Sequence, residues 1–130
     1  MHRFFSKDSK KDFYILYTLA FIFVSLFLYS QFAGNGKSLV WSHDAIPQHL
    51  NALAYYGKYL REVLHRIFIE HSFSLPMWDM SIGYGSDILT TLHYYVIGDP
   101  LTLLSVFFPS DKTEILYEIL IFLRIYLAGI

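Results

Sequence analysis

The sequence predicts an all-α integral membrane protein: an N-terminal transmembrane helix, a long external loop with amphipathic interfacial helices, and the start of a second transmembrane helix. Of its 130 residues, 55% are apolar and 19% aromatic, more than a small soluble domain can bury. An uncharged apolar run covers residues 13–33, and its length matches the roughly 20 helical residues that cross a bilayer core. The clearest apolar pattern after that run has the period of a helix rather than the alternation of a strand.

Charge and composition exclude several classes of function. The net charge of -1 offers no basic surface for nucleic acid, so no nucleic-acid partner is expected. The absence of cysteine excludes a disulfide framework and thiolate chemistry. The six histidines show no spacing typical of a metal site. The one glycine-rich motif, "GYGSD", lacks the lysine and the preceding strand of a P-loop. No metal and no cofactor are therefore predicted.

The N-terminal segment predicts the orientation of the chain. Residues 1–12 are short and polar with several basic side chains, which indicates a cytoplasmic tail and places Gly34 onward outside. A cleaved signal peptide is the alternative, but its apolar region should be only about 7–15 residues long and end at a small-x-small site. The run here is longer and ends in "YSQFAGNG", so residues 13–33 are predicted as transmembrane helix 1.

Residues 34–112 form the predicted external loop, and an amphipathic helix at about 45–70 is its main element. Asp44 is expected to cap that helix through its side chain, with Pro47 in the first turn, where a missing N–H does no harm. Such a helix suits a membrane interface, or packing on other helices of the same protein, or both at once. Its apolar stripe, with spacings of four and three, consists of Ile46, Leu50, Leu53, Gly57, Leu60, Leu64 and Ile67.

The rest of the loop is less regular. Residues 71–87 are rich in turn formers and aromatic side chains, which predicts a structured loop. A short helix is expected at 88–97, broken by "GDP". Residues 101–109 are too few to span a membrane and indicate a re-entrant or interfacial segment. Residues 113–130 read as a truncated transmembrane helix 2, which makes the chain an expected N-terminal fragment of a larger polytopic protein.

Asp44 is the first candidate for chemistry. It follows the predicted span closely and has His43, Gln48 and His49 as neighbours in sequence. A carboxylate at headgroup depth could deprotonate an acceptor hydroxyl against a lipid-linked donor. Helix capping and catalysis are compatible, because a cap fixes the position of the side chain.

The other candidates have both structural and functional interpretations. Asp79 and Asp99 stand in turn-rich sequence and are typical of Asx-turns or caps. Lys58 and Arg61 are spaced to line one side of the helix, either as a solvated face or as partners for a phosphate headgroup. Trp78, with the tyrosines of the helix, could stack on a sugar ring or anchor the chain at the interface.

Several motifs resemble the N-terminus of the bacterial YfhO family of membrane proteins, over about residues 13–130. The most specific are "D-x-x-x-Q-H" and "W-D-x-S-x-G-x-G-S-D", which begin at Asp44 and Trp78; Ala45 departs from the expected glycine. The supporting motifs are "YYGKYLR", "LPMWDMSIGYGSDILTTLHYY" and "GDPLTLLSVFFP". Family members are large polytopic proteins that look like GT-C glycosyltransferases, and some are linked to glycosylation of cell-wall polymers such as lipoteichoic acid.

The resemblance implies a GT-C-like enzyme of the bacterial plasma membrane, multi-pass, with its main loop extracellular. Sugar would pass from a polyprenyl-phosphate donor to a cell-wall polymer acceptor on the outer face, in contact with membrane lipid. Asp44 would be the catalytic residue, either as general base on the acceptor hydroxyl or as the residue that orients it, with Gln48 and His49 as companions. Lys58 or Arg61 would neutralise the departing lipid phosphate. The remaining expected substrate-binding residues are Trp78, Asp79 and Asp99.

Two other classes of function stay open: a transporter or flippase subunit that handles lipid-linked headgroups, and a non-enzymatic assembly module. A transporter is expected to place polar side chains inside its spans, whereas residues 13–33 carry no charge. That distribution favours the enzyme. The segment by itself is expected to be inactive.

Overall fold

The computed structural model of the chain describes residues 7–130, with side chains from Lys10 onward. The first six residues of the predicted cytoplasmic tail, 1–12, lie outside the described residues. The chain divides into two compact units. Unit 1 holds the chain up to Leu39 together with Ile121–Ile130, and unit 2 holds Val40–Leu120.

Unit 1 is built on helix α1, Lys7–Ala33. Within the described residues, Lys10–Ala33 is the one helix long and apolar enough to cross a membrane. Its large apolar side chains point outward, with Phe23 74% exposed and Leu16 68% exposed. The helix ends in a turn at Gly36, whose φ is 62°. Residues other than glycine rarely adopt a positive φ.

The last part of helix α4, Thr113–Ala128, also belongs to unit 1. Tyr17 donates a hydrogen bond to the carbonyl of Tyr126 at 2.9 Å, and the Thr18 and Tyr126 hydroxyls share another at 2.8 Å. Hydroxyl contacts of this kind join helices in apolar surroundings. α4 has 16 residues, fewer than the roughly 20 that a bilayer core requires. Transmembrane helix 2 at 113–130 therefore stays a prediction.

Unit 2 is organised by helix α2, Asn51–Phe68, which continues from a π-helical turn at Ala45–Leu50. The structure thus has helix from 45 to 68 where the sequence predicts about 45–70. Two members of the apolar stripe, Leu53 and Gly57, are buried, and Tyr56 and Tyr59 are buried with them. The core of unit 2 consists of Leu53, Tyr56, Tyr59, Ile88, Leu92, Val96, Leu116 and Leu120.

The loop after α2 contains a small antiparallel sheet. Strand β1, Trp78–Asp79, pairs with strand β2, Ser86–Asp87. The turn between them uses Gly85 at a φ of 104°. Helix α3, Ile88–Leu92, follows at once, and the Asp87 side chain caps it by accepting from the Thr90 N–H at 2.7 Å. That bond to the charged form lowers the pKa of Asp87.

The remainder of unit 2 consists of short helical pieces. A second π-helical turn runs over His93–Ile97, and 3-10 helices cover Pro100–Phe107 and Ser110–Lys112. The first of these 3-10 helices lies where the sequence predicts a re-entrant or interfacial segment at 101–109, and it packs on α2. The contact is close at Gly57, where an added Cβ would lie 2.5 Å from the Ser105 carbonyl oxygen.

Candidate functional site

Asp44 stands at the N-cap position of the first π-helical turn, but its side chain makes no capping hydrogen bond. The expected side-chain cap is therefore wrong, and the sequence contains the reason. A cap accepts from the N–H groups two or three residues ahead. Pro47 has no N–H, and the Ile46 N–H donates to the Trp41 carbonyl at 3.2 Å. Asp44 is left with an exposed carboxylate.

Gln48 and His49, the expected companions of Asp44, both contact Tyr95. The Tyr95 hydroxyl donates to Gln48 Oε1 at 3.2 Å, and the rings of His49 and Tyr95 meet edge to face with centroids 5.3 Å apart. Gln48 and His49 belong to the first π-helical turn and Tyr95 to the second. The structure thus brings the two π-helical turns together at an amide, an imidazole and a phenol.

A cavity of about 380 Å³ opens beside this junction. Its lining contains amide, hydroxyl, aromatic and aliphatic side chains but no charged one. We call it the neutral cavity. It is lined by Pro47, Gln48, Asn51, Ala52, Tyr55, Ile82, Gly83, Thr91, Leu92 and Tyr95.

A second cavity, of about 220 Å³, lies between α2 and the loop that carries β1. Its lining combines both signs of charge with aromatic rings, and we call it the charged cleft. It contains three of the expected substrate-binding residues, Lys58, Trp78 and Asp79. The full lining is Tyr55, Lys58, Tyr59, Glu62, Arg66, Pro76, Trp78, Asp79 and Ile88.

A hydrogen bond between Tyr55 and Asp79 links α2 to β1 in the wall of the charged cleft. The Tyr55 hydroxyl donates to Asp79 Oδ2 at 2.5 Å, and the Ser81 N–H donates to Asp79 Oδ1 at 2.7 Å, which is the Asx-turn that the sequence allows. These bonds, with a smaller contribution from the charge of Lys58, lower the pKa of Asp79. Burial, and then the bond to Asp79, raise the pKa of Tyr55 well above its ordinary range.

Arg61 has a different environment from Lys58. Its Nη1 donates to the carbonyls of Ser105, Val106 and Phe108 at 3.0, 3.3 and 2.7 Å. The guanidinium thus caps the carboxyl end of the 3-10 helix at Pro100–Phe107, where carbonyl groups lack partners within the helix. Arg61 is not among the residues that line either cavity.

Asp99 has a structural contact of the kind expected for an acid that precedes proline. Its Oδ1 accepts from the Leu101 N–H at 2.8 Å, and Pro100 occupies the first position of the 3-10 helix. Asp99 is absent from the linings of the two cavities. The structure therefore separates the expected residues into three places: Asp44 with Gln48 and His49, the charged cleft, and the 3-10 helix.

Sequence reasoning missed Tyr95 and the role of Tyr55. Tyr55 lines both cavities, and Tyr95 orients Gln48. The signal for Tyr55 was present, since it stands in the tyrosine run of α2. No pattern in the sequence indicates that Tyr95 approaches Gln48, because the pairing depends on how two short π-helical turns pack.

Metal ligands do not cluster in the described part of the chain: no group of three or more histidine or acidic side chains there could hold an ion. Comparisons with known proteins give one result. A family model described as "Bacterial membrane protein YfhO" matches residues 16–130. No curated protein and no solved structure matches the chain.

Proposed function

Because the chain belongs to the YfhO family of bacterial membrane proteins, we propose that it acts in glycosyl transfer at the outer face of the cell membrane. The donor is a sugar on a polyprenyl phosphate, and the acceptor is a cell-envelope polymer of the lipoteichoic acid kind. The observation that carries the proposal is the charged cleft, where Lys58, Trp78 and Asp79 meet. A cation, an aromatic face and a carboxylate are the groups that bind phosphate, sugar ring and sugar hydroxyls.

The reaction is a displacement at the anomeric carbon. An acceptor hydroxyl oxygen forms a bond to that carbon as the bond from the carbon to the phosphate oxygen breaks. The electron pair of the broken bond leaves with the polyprenyl phosphate, and the hydroxyl proton passes to a carboxylate base. Lys58, which is exposed on α2, stabilises the negative charge that develops on the departing phosphate.

Asp44 is the base that the family resemblance implies. It does not line the charged cleft, so this assignment rests on the resemblance and on a comparison with Asp79. Both oxygens of Asp79 accept hydrogen bonds, and its lowered pKa makes it a poor proton acceptor. The Asp44 carboxylate is exposed and makes no capping bond. Gln48 follows Asp44 by one helical turn and lines the neutral cavity. Asp79 is better suited to binding sugar hydroxyls than to removing a proton.

Arg61 is less suitable than Lys58 as a ligand for the departing phosphate. Three carbonyl groups already accept from its Nη1, so recruitment to a ligand would leave those carbonyls without their donor. Arg66 lines the charged cleft and pairs with Glu62 at 2.7 Å. Lys58 is therefore the cation that we assign to the leaving group, and the Arg66–Glu62 pair lines the same cleft.

Membrane lipid is the proposed partner of residues 68–84, the end of α2 and the loop that follows it. Their exposed apolar side chains form a surface that water solvates poorly, in a chain that also carries a helix long and apolar enough to cross a membrane. Contact with the outer leaflet would bring the cleft to the depth of a polyprenyl phosphate. In a Trp41→Phe background, which leaves Trp78 as the one tryptophan of the chain, quenching of its fluorescence by brominated lipid tests this contact, and absence of quenching would refute it. The exposed residues are Phe68, Ile69, Phe73, Leu75, Met77, Trp78, Met80 and Tyr84.

The experiment that tests the function is an Asp44→Asn variant of the protein in membranes of the producing bacterium. Transfer of labelled sugar to wall polymer is the readout, and we expect a loss of about 10²–10⁴-fold, the usual contribution of a general base. Asp111→Asn is the matched control, because Asp111 is an exposed acid on the second 3-10 helix. Undiminished transfer by Asp44→Asn would refute the base role. Movement of intact lipid-linked sugar without transfer would instead support the transporter.

A further inference from the structure

The two cavities of unit 2 differ in chemistry although Tyr55 lines both. The charged cleft has two cations and two anions in its wall, Lys58, Arg66, Glu62 and Asp79. The neutral cavity has none, and its polar groups are amides and hydroxyls. A phosphate is bound well by fixed cations, whereas an uncharged polyol needs donors and acceptors beside an apolar surface.

We propose that the neutral cavity is a binding site for an uncharged hexosyl unit, separate from the charged cleft. The proposal deepens the glycosyl-transfer function and rests on it for the biological identity of the ligand. A volume of about 380 Å³ lies at the lower end of the roughly 300–1,000 Å³ range of ligand pockets. The site recognises hydroxyl groups through Gln48, Asn51, Thr91 and Tyr95.

The hydrogen bonds already present leave capacity for a ligand. Gln48 accepts from Tyr95 through Oε1, so the Gln48 amide N–H groups can still donate. Asn51 donates through Nδ2 to the Pro47 carbonyl at 3.2 Å, which leaves Asn51 Oδ1 as an acceptor. Thr91 shares one bond with the Ser86 hydroxyl at 2.6 Å and retains a lone pair. The wall therefore offers both donors and acceptors, as the hydroxyl groups of a sugar require.

The apolar part of the wall has a matching role. Ile82, Leu92 and the ring of Tyr95 give the C–H face of a pyranose a surface to pack on. Gly83 adopts a φ of 62° and has no neighbour within 4 Å of where a Cβ would stand, so the chain there keeps the rim open. An isoprenoid tail would use only this apolar part and would leave the amides unpaired, which is unfavourable.

The experiment measures sugar binding directly rather than turnover. The detergent-solubilised full chain is titrated with a methyl hexoside, followed by saturation-transfer NMR, and separately with inorganic pyrophosphate. Gln48→Ala and Tyr95→Phe are expected to weaken hexoside binding at least tenfold and to leave pyrophosphate binding unchanged. Lys58→Ala is expected to do the opposite. His93→Ala is the control, because His93 is exposed on the second π-helical turn and does not line the cavity.

Each result has a defined consequence. Hexoside binding that Gln48→Ala and Tyr95→Phe leave intact would overturn the proposal, and so would a cavity that binds a short isoprenyl alcohol in place of the hexoside. Tyr95→Phe removes one oxygen and keeps the ring, so it separates lost recognition from lost folding. Because binding is read without turnover, undiminished transfer by Asp44→Asn would refute the base role alone, and a failed hexoside titration would refute the sugar site alone.

Discussion

The two units of the chain place their apolar side chains in opposite ways. In unit 1, α1 exposes residues such as Phe23 and Leu16 along its length. In unit 2, residues such as Ile88 and Leu120 are at most 1% exposed. One sequence therefore contains a segment suited to lipid and a segment that folds around its own core.

This difference between the two units predicts which substitutions should destabilise each of them. α1 exposes apolar side chains along its length, and the insertion of such a helix into a membrane depends on its total apolarity rather than on particular contacts. The stability of unit 2 depends on close contacts between particular atoms. Adding a single methyl group at such a contact therefore destabilises the unit. Substitutions that destabilise unit 2 and leave α1 in the membrane fraction would support this difference, and substitutions that destabilise both units equally would contradict it.

The largest effect is expected at the crossing of α2 with the 3-10 helix. Gly57→Ala puts a Cβ 2.5 Å from the Ser105 carbonyl oxygen, a backbone atom that cannot rotate away. We expect unit 2 to lose about 2 kcal/mol or more, equivalent to roughly 10 °C in melting temperature for a unit of this size. Thermal unfolding in detergent by circular dichroism measures the loss, and α1 should remain in the membrane fraction.

The matched control is Gly98→Ala, where the nearest atom to the added Cβ is 3.7 Å away. That distance is ordinary van der Waals contact, so the melting temperature should hardly change. If the two alanine variants melt alike, the close packing of α2 on the 3-10 helix is not a determinant of stability.

An intermediate effect is expected at Arg61, whose Nη1 donates to three carbonyls. Arg61→Leu keeps apolar bulk and removes the donor, which should cost about 2 kcal/mol because partly buried carbonyls lose a charged partner. Lys58→Leu removes an exposed cation from the same helix and should change stability by no more than about 0.5 kcal/mol. Urea titration of both variants compares them, and equal losses would contradict the capping role of Arg61.

Much of the architecture could be predicted because it follows from composition and period. The apolar run predicts α1, and spacings of four and three predict the helix that contains Leu53 and Gly57. The 3-10 helix and the strands β1 and β2 could not be predicted, because two-residue strands have no period and tertiary contacts decide the state of an eight-residue apolar piece.

The site was less predictable than the fold. The cap at Asp44 fails because Pro47 removes one donor and the Trp41 carbonyl takes the other, a conflict between two local rules that each look favourable alone. Lys58 and Arg61 look equivalent in sequence, yet only Lys58 is among the residues that line the charged cleft or the neutral cavity. The chemistry of a surface residue depends on which side chains pack beside it. Those neighbours are set by the tertiary structure and cannot be inferred from a single sequence.

The smallest effect is expected at Tyr55, and it is a dependence on pH. The pKa of Tyr55 is raised above its ordinary value of 10.0, first by burial and then by the bond to Asp79. A group whose pKa is higher in the folded state contributes stability that is fully present below its unfolded pKa and is lost as pH rises through the folded pKa. The hydrogen bond from Tyr55 to Asp79, which joins α2 to β1, should therefore weaken only above about pH 10.

Subtracting the tyrosinate absorbance of Tyr55→Phe from that of the unaltered chain isolates the titration of Tyr55, and its midpoint should lie above 10.0. The reference curve is that of N-acetyltyrosine amide, a free phenol with the ordinary pKa of 10.0. In Tyr55→Phe, protease cleavage in the loop around Asp79 should increase slightly at neutral pH, because one hydrogen bond of about 1 kcal/mol is lost. A Tyr55 midpoint at or below the reference curve would show that the phenol is not held by Asp79, and the charged cleft would then lack its link between α2 and β1.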